Sequence, residues 1–129
     1  MLSKTELDAM LRSIAILPDV VGSVVLSFEG KVILSNFESD DHVEDIAYWT
    51  LGCFMSSEMV AKRTPPYYAQ LQHITLITNE SSFCIVWADI YLISTLTRNT
   101  NALEVALLAN TIARLPLLRG ENTLDFEPS

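Results

Sequence analysis

One segment, Val43 to Lys62, constrains this chain more than any other. It is long enough for a helix of several turns, Asp40 and Asp41 ahead of it supply an N-cap, and Thr64-Pro65-Pro66 ends it. At about 100° per residue, Val43, Ile46, Thr50, Phe54 and Ala61 fall on one face, flanked by Cys53 and Val60. Tyr48, Leu51, Gly52, Met55 and Met59 fall on the opposite face, and Trp49 stands between the two. A helix on the surface of a layered domain needs one apolar stripe, and this one has two. The second must be covered by another copy of the chain, by a partner protein, or by another element of the same chain. Methionines suit an adaptable contact, because the unbranched thioether repacks easily.

The flanking sequence supplies a sheet for this helix to rest on. Leu7, Met10, Leu11 and Ile14 mark the apolar stripe of a first helix, opened by a Ser3/Glu6 capping box and stopped by Pro18. Val20 to Phe28 and Val32 to Phe37 are β-branched runs separated by Glu29-Gly30-Lys31, the pattern of a hairpin. After the middle helix come three strands: Leu71 to Thr78, Phe83 to Trp87 and Ile90 to Thr97. Short turns at Asn79-Glu80-Ser81-Ser82 and Ala88-Asp89 make them an antiparallel meander. The first and third are apolar on both alternating faces, which requires a sheet covered on both sides. A last helix runs from about Asn101 to Leu115, capped at Asn99, Thr100 or Asn101 and stopped by Pro116. The order α-β-β-α-β-β-β-α predicts an α+β fold, a five-stranded antiparallel sheet sandwiched by helices. It occupies one domain over residues 1–120, followed by an acidic disordered tail over 121–129.

Charge narrows the partners. The net charge is −8, which opposes nucleic acid and anionic lipid, since both are bound through Lys and Arg. Half the chain is hydrophobic and only 19% is charged, below the ~25% usual for soluble domains, so part of the apolar excess is available to cover a partner. Lys4, Glu6, Asp8 and Arg12 interrupt any signal-peptide pattern, and no uncharged apolar run reaches the ~18 residues of a membrane span, so a cytoplasmic protein is expected. Cys53 and Cys84 lie in apolar surroundings and read as free buried thiols.

Equipment for catalysis is missing from the pattern. There is no GxSxG, HExxH or GxxxxGK[ST], and the four glycines are scattered. His42 reads as a solvated or capping residue, and His73 as a core or interface imidazole. Glu38, Asp40, Asp41, Glu44 and Asp45 read as a solvated helix start, with Lys62-Arg63 favourable at the other end of the same dipole. Trp49 and Trp87 read as anchors, with Trp49 the better candidate for a partner contact. No catalytic residue, cofactor or metal is expected.

Leu17-Pro18-Asp19-Val20-Val21-Gly22-Ser23-Val24-Val25-Leu26 resembles the run that leads into the first strand of roadblock/dynein light-chain domains. Glu29-Gly30-Lys31-Val32 resembles that family's hairpin turn, and Asn101-Ala102-Leu103 the opening of its last helix. The resemblance covers residues 3 to 118. It departs from the pattern at Asp19, at Ala88-Asp89 and at Glu104, where the family has glycine.

The resemblance implies a non-enzymatic homodimer or pseudo-symmetric heterodimer. The two sheets join edge to edge through the strand carrying Leu71, His73, Thr75 and Ile77, and the two middle helices lie side by side. It further implies binding of Ras-like small GTPases, as a regulator or a scaffold, with Arg63 and Arg98 the only plausible arginine donors. Two other readings stand beside it: an adaptor that assembles a larger complex without a GTPase, and a small-ligand sensor of the PAS or profilin-like type.

Overall fold

The computed structural model describes residues 2–67, 69 and 71–126, with side chains through residue 115. Its elements are α1 (Lys4–Ala15), β1 (Val20–Ser27), β2 (Val32–Ser35), α2 (Val43–Arg63), β3 (His73–Ile77), β4 (Ser82–Ala88), β5 (Tyr91–Thr97) and α3 (Ala102–Phe126). The strands form one antiparallel sheet in the order β2-β1-β5-β4-β3, with α1 and α3 on one face and α2 on the other.

Local chemistry explains most of the boundaries. Ser3 Oγ accepts from the Glu6 N–H at 3.2 Å while Glu6 Oε1 accepts from the Ser3 N–H at 3.1 Å, the reciprocal box that starts α1. Asn101 Oδ1 accepts from the Glu104 N–H at 3.0 Å and starts α3, and Asn99 steadies the Glu104 carboxylate at 2.8 Å. The start of α2 differs from expectation. His42, not Asp40 or Asp41, occupies the cap position, and no side chain caps the helix. Glu44 and Asp45, inside the first turn, supply the negative charge that the positive end of the dipole favours. The backbone of α3 runs past Pro116, where the sequence reading ends it. Proline removes one helical hydrogen bond, yet its fixed backbone angle is compatible with a helix. Of the tail expected to be disordered over 121–129, residues 121–126 continue α3, and 127–129 lie outside the described residues.

Two departures from the glycine pattern have a backbone explanation. Asp19 has φ 66° and Asp89 has φ 60°, so both positions hold the left-handed conformation that glycine adopts freely. Aspartate is among the few other residues that tolerate it. Each is also used: the Asp19 carbonyl accepts from the Arg98 N–H at 2.9 Å, and the Asp89 carboxylate accepts from the Leu2 N–H at 2.7 Å.

Two clusters of buried side chains lie on opposite faces of the sheet. Leu7, Met10, Leu11 and Ile14 of α1 and Val105, Ala109 and Ile112 of α3 pack on Val25, Cys84, Val86 and Ile93. Val43, Ala47 and Phe54 of α2 pack on Val24, Leu26, Ile85 and Leu92. Phe54 meets Phe28 and Trp87 edge to face, with ring centroids 5.5 to 5.8 Å apart. Thr50 donates from Oγ1 to Ser94 Oγ at 3.0 Å, tying the middle of α2 to the sheet inside this apolar layer. Each partner satisfies the other, so burying them carries little penalty. The α2 side of Gly22 is filled by Phe37: a Cβ there would lie 2.5 to 2.8 Å from the ring.

Gly22→Ala is therefore expected to destabilise the fold by about 1 to 3 kcal/mol in urea titration, the usual cost of forcing a packed site apart. Adding Phe37→Ala should recover part of that loss, as coupling between neighbours requires. Asp19→Val should cost about 1 to 2 kcal/mol and Asp19→Gly should cost little, since a side chain branched at Cβ strongly resists φ 66° whereas glycine adopts it freely.

Candidate interaction surface

The side chains of the middle helix divide as the two stripes predict. Val43, Ala47, Thr50 and Phe54 are buried, whereas Tyr48, Trp49, Met55 and Met59 are 74%, 66%, 55% and 51% exposed. Gly52 is exposed, with nothing within 4 Å of the Cβ position. Leu51 is half-buried and leans toward Gly30 of the β1–β2 turn. Val60 departs from expectation: it is 65% exposed instead of flanking the core. Val60 lies on the flank of α2 toward β4 and β3, away from β1, β2 and β5, on which the helix chiefly rests.

That placement leaves part of the sheet bare. In the registered pairs Gly22–Leu96, Leu96–Phe83 and Phe83–Leu76, one row of residues crosses β1, β5, β4 and β3 on the α2 side. The row spans three strand spacings, about 14 Å. Leu76 is 45% exposed, and Phe83 is half-buried. Between this row and the helix lies an apolar cavity of about 260 Å³, walled by Ile46, Trp49, Cys53, Leu76, Phe83 and Ile85. Cys53, Leu76 and Phe83 were not singled out from sequence as a surface. The signal existed in the period-two alternation of the strand, which separates Ile74 and Leu76 from His73, Thr75 and Ile77.

Strand β3 is the outer edge of the sheet, bonded to β4 alone. It contains no Lys, Arg or Pro, so its outer backbone groups are free to extend the ladder. His73 and Thr75 pair with Val86 and Cys84, residues of the cluster under α1 and α3, so their side chains take that face. Ile77 follows the same alternation and is exposed at the strand's end. Leu71 precedes the strand and packs on the α2-side cluster. The ten sequence candidates thus fall into three places: the outer surface of α2, the sheet edge, and the two packed layers behind them.

No group of three or more His, Cys, Asp or Glu that could hold a metal occurs among the described residues. No helix among them is long and apolar enough to cross a membrane. His42 Nδ1 lies 3.9 Å from the Asp45 carboxylate on the exposed first turn of α2. Cys53 and Cys84 are both free thiols; Cys53 is half-buried, while Cys84 is buried, lies 3.7 Å from the Val105 carbonyl, and burial pushes its thiol up to about 11.

An edge-accessible five-stranded sheet with one long helix on one face and two on the other defines a class of small α+β domains. The particular fold is that of the roadblock/LC7 domain, as the sequence resemblance implies. A roadblock/LC7 domain from Streptomyces avermitilis superposes with TM-score 0.69 at 14% identity, over 87% of this chain and 97% of that one. MglB of Myxococcus xanthus gives TM-score 0.74 at 13% identity, over 94% and 99%. An MglB described as having a tetrameric arrangement gives 0.70 at 13%, over 94% of both chains. No protein-family model and no curated protein matches the sequence itself.

The buried thiol yields a direct check. At pH 8 Cys84 should resist a thiol reagent in the native chain and react when the chain is denatured, and native reactivity should rise only as the pH approaches 11. Rapid modification of both thiols at pH 8 without denaturant contradicts the placement of Cys84.

Proposed function

We propose that the chain is a dimeric, non-enzymatic interaction module that regulates or scaffolds a Ras-like small GTPase. One observation carries the reading: α2 leaves Tyr48, Trp49, Met55 and Met59 in solvent beside a bare strip of sheet and an unpaired edge strand. A second copy covers all three at once. Pairing of β3 with its counterpart removes the open edge, and it brings the two α2 helices side by side over the bare strip.

The seam for that contact is legible on the helix. At about 100° per residue, Asp45, Trp49, Cys53, Ser56, Val60 and Arg63 line the flank of α2 that faces β3. Run antiparallel to itself, this row sets Trp49 against Val60 of the second copy and Cys53 against Ser56. The acidic first turn then lies beside Lys62-Arg63 of the other helix, and the two helix dipoles oppose. Tyr48, Met55 and Met59 stay on the outer surface of such a pair, a wide apolar platform with adaptable side chains. The GTPase assignment rests on the resemblance of the sequence to roadblock/dynein light-chain domains, supported by the shared fold. Assembly is supported by a similarly folded MglB described as tetrameric.

Light scattering after size exclusion at low micromolar concentration should give about twice 14.4 kDa. Trp49→Asp should weaken the dimer about tenfold or more, while circular dichroism stays unchanged. Met55→Asp with Met59→Asp should keep the dimer and abolish partner capture. In a pull-down from nucleotide-loaded lysate, a GTPase retained only with a GTP analogue or only with GDP supports regulation. Retention regardless of nucleotide favours the adaptor reading, and a monomer in light scattering removes the proposal.

A further inference from the structure

A second cavity, of about 550 Å³, opens at the start of α2, and the dimer proposed above does not use it. It lies between residues 37–43, the first turn of α2, the beginning of β1 and the end of β5. We propose that it docks a basic segment of a partner protein, taking one or two apolar anchor side chains into the cavity and the flanking Lys or Arg onto its rim. The inference goes beyond the GTPase reading and does not depend on it.

The floor is apolar: Val20, Phe37, Val43, Ile46 and Leu96 line it. Its volume lies within the range of sites that enclose a ligand, which is roughly 300 to 1,000 Å³. The rim has the opposite character. Glu38 and Asp41 line the opening, and Asp40, Glu44 and Asp45 follow within the same stretch, five carboxylates in eight residues. Among the described residues none of the five lies within 4 Å of a Lys or Arg; Asp45 has only His42, at 3.9 Å. Glu44 and Asp45 sit in the first turn of α2, where its dipole accounts for them. Glu38, Asp40 and Asp41 precede the helix, and their charge has no such explanation. Arg98 is the one cation lining the same cavity, against Glu38 and Asp41 in its wall and Asp40 beside them, so the rim keeps an excess of negative charge that a basic segment would offset.

Other occupants fit poorly. Residues 121–129 of this chain carry three carboxylates and no cation, so the rim repels them. A second copy brings net charge −8, and in the proposed contact its Lys62-Arg63 meets Glu44 and Asp45 of the first turn, not Glu38, Asp40 and Asp41 ahead of the helix. Arg98, at the mouth, makes no ion pair among the described residues, while its backbone N–H is held by the Asp19 carbonyl at 2.9 Å. Its guanidinium is placed to donate to main-chain carbonyls of a docked segment.

Fluorescence anisotropy with the full chain tests this, using a labelled peptide in which a central Leu-Phe pair is flanked by Lys-Arg on each side. The expected result is saturable binding that weakens on raising salt from about 50 to 300 mM, since the screening length falls to several ångströms. Replacing Leu-Phe by Ser-Ser should weaken it about tenfold, and replacing the basic residues by Glu should abolish it. Glu38→Lys with Asp41→Lys, both at exposed positions, should weaken binding about tenfold or more and leave the circular dichroism unchanged. The Trp49→Asp chain should bind as the native one does, which separates this site from the dimer contact. The proposal is overturned by no binding up to about 1 mM peptide, by equal binding of the Ser-Ser peptide, or by native affinity in the Glu38→Lys, Asp41→Lys chain. A change in oligomeric mass in that chain also overturns it, because the cavity would then be a contact between copies.

Discussion

The sheet presents apolar side chains on both faces, and a layered fold is stable only if both are kept from water. On one face α1 and α3 together meet this demand, burying Leu7, Met10, Val105 and Ile112 against Val25, Val86 and Ile93. On the other face a single helix must do the work of two. The Thr50–Ser94 hydrogen bond and the packing of Phe54 on Phe28 and Trp87 hold α2 over β1, β5 and the Trp87 end of β4, while Leu76 of β3 and Phe83 of β4 stay partly exposed. The exposed flank of the helix, the bare strip and the open strand edge all follow from this asymmetry.

Much of this was legible in the sequence because it is encoded locally. Ser3 and Glu6 announce α1, Asn101 and Glu104 announce α3, and the break at Glu29-Gly30-Lys31 announces the hairpin. The double stripe of α2 could be read because helical periodicity is strict over twenty residues. What escaped notice is what depends on placement. Val60 faces solvent because of where the helix sits on the sheet, which no periodicity reveals. His42 occupies the cap that the two aspartates were expected to fill, and Asp40 contributes its carbonyl instead, which accepts from the Val43 N–H at 3.3 Å. The edge strand was identified, but its two sets of side chains were not assigned to the α3 face and the α2 face until the register with β4 was known.

The molecule's surfaces also differ in chemistry. The outer side of α2 is apolar and soft, with two methionines and two aromatic rings, and it suits partners of varied shape. The start of α2 is acidic around a greasy floor, and suits partners of one sign of charge. Separating the two along a single helix would let one small domain hold the proposed symmetric contact at its middle and the proposed asymmetric one at its end.

The left-handed conformations at Asp19 and Asp89 bear on how such a chain can change over time. The fold fixes the dihedral angle at each corner and leaves open which tolerant residue occupies it, so glycine and aspartate are exchangeable there at little thermodynamic cost. A lineage can lose the glycines by which its relatives are recognised without moving its backbone, and its ancestry then survives in shape after it has faded from the letters.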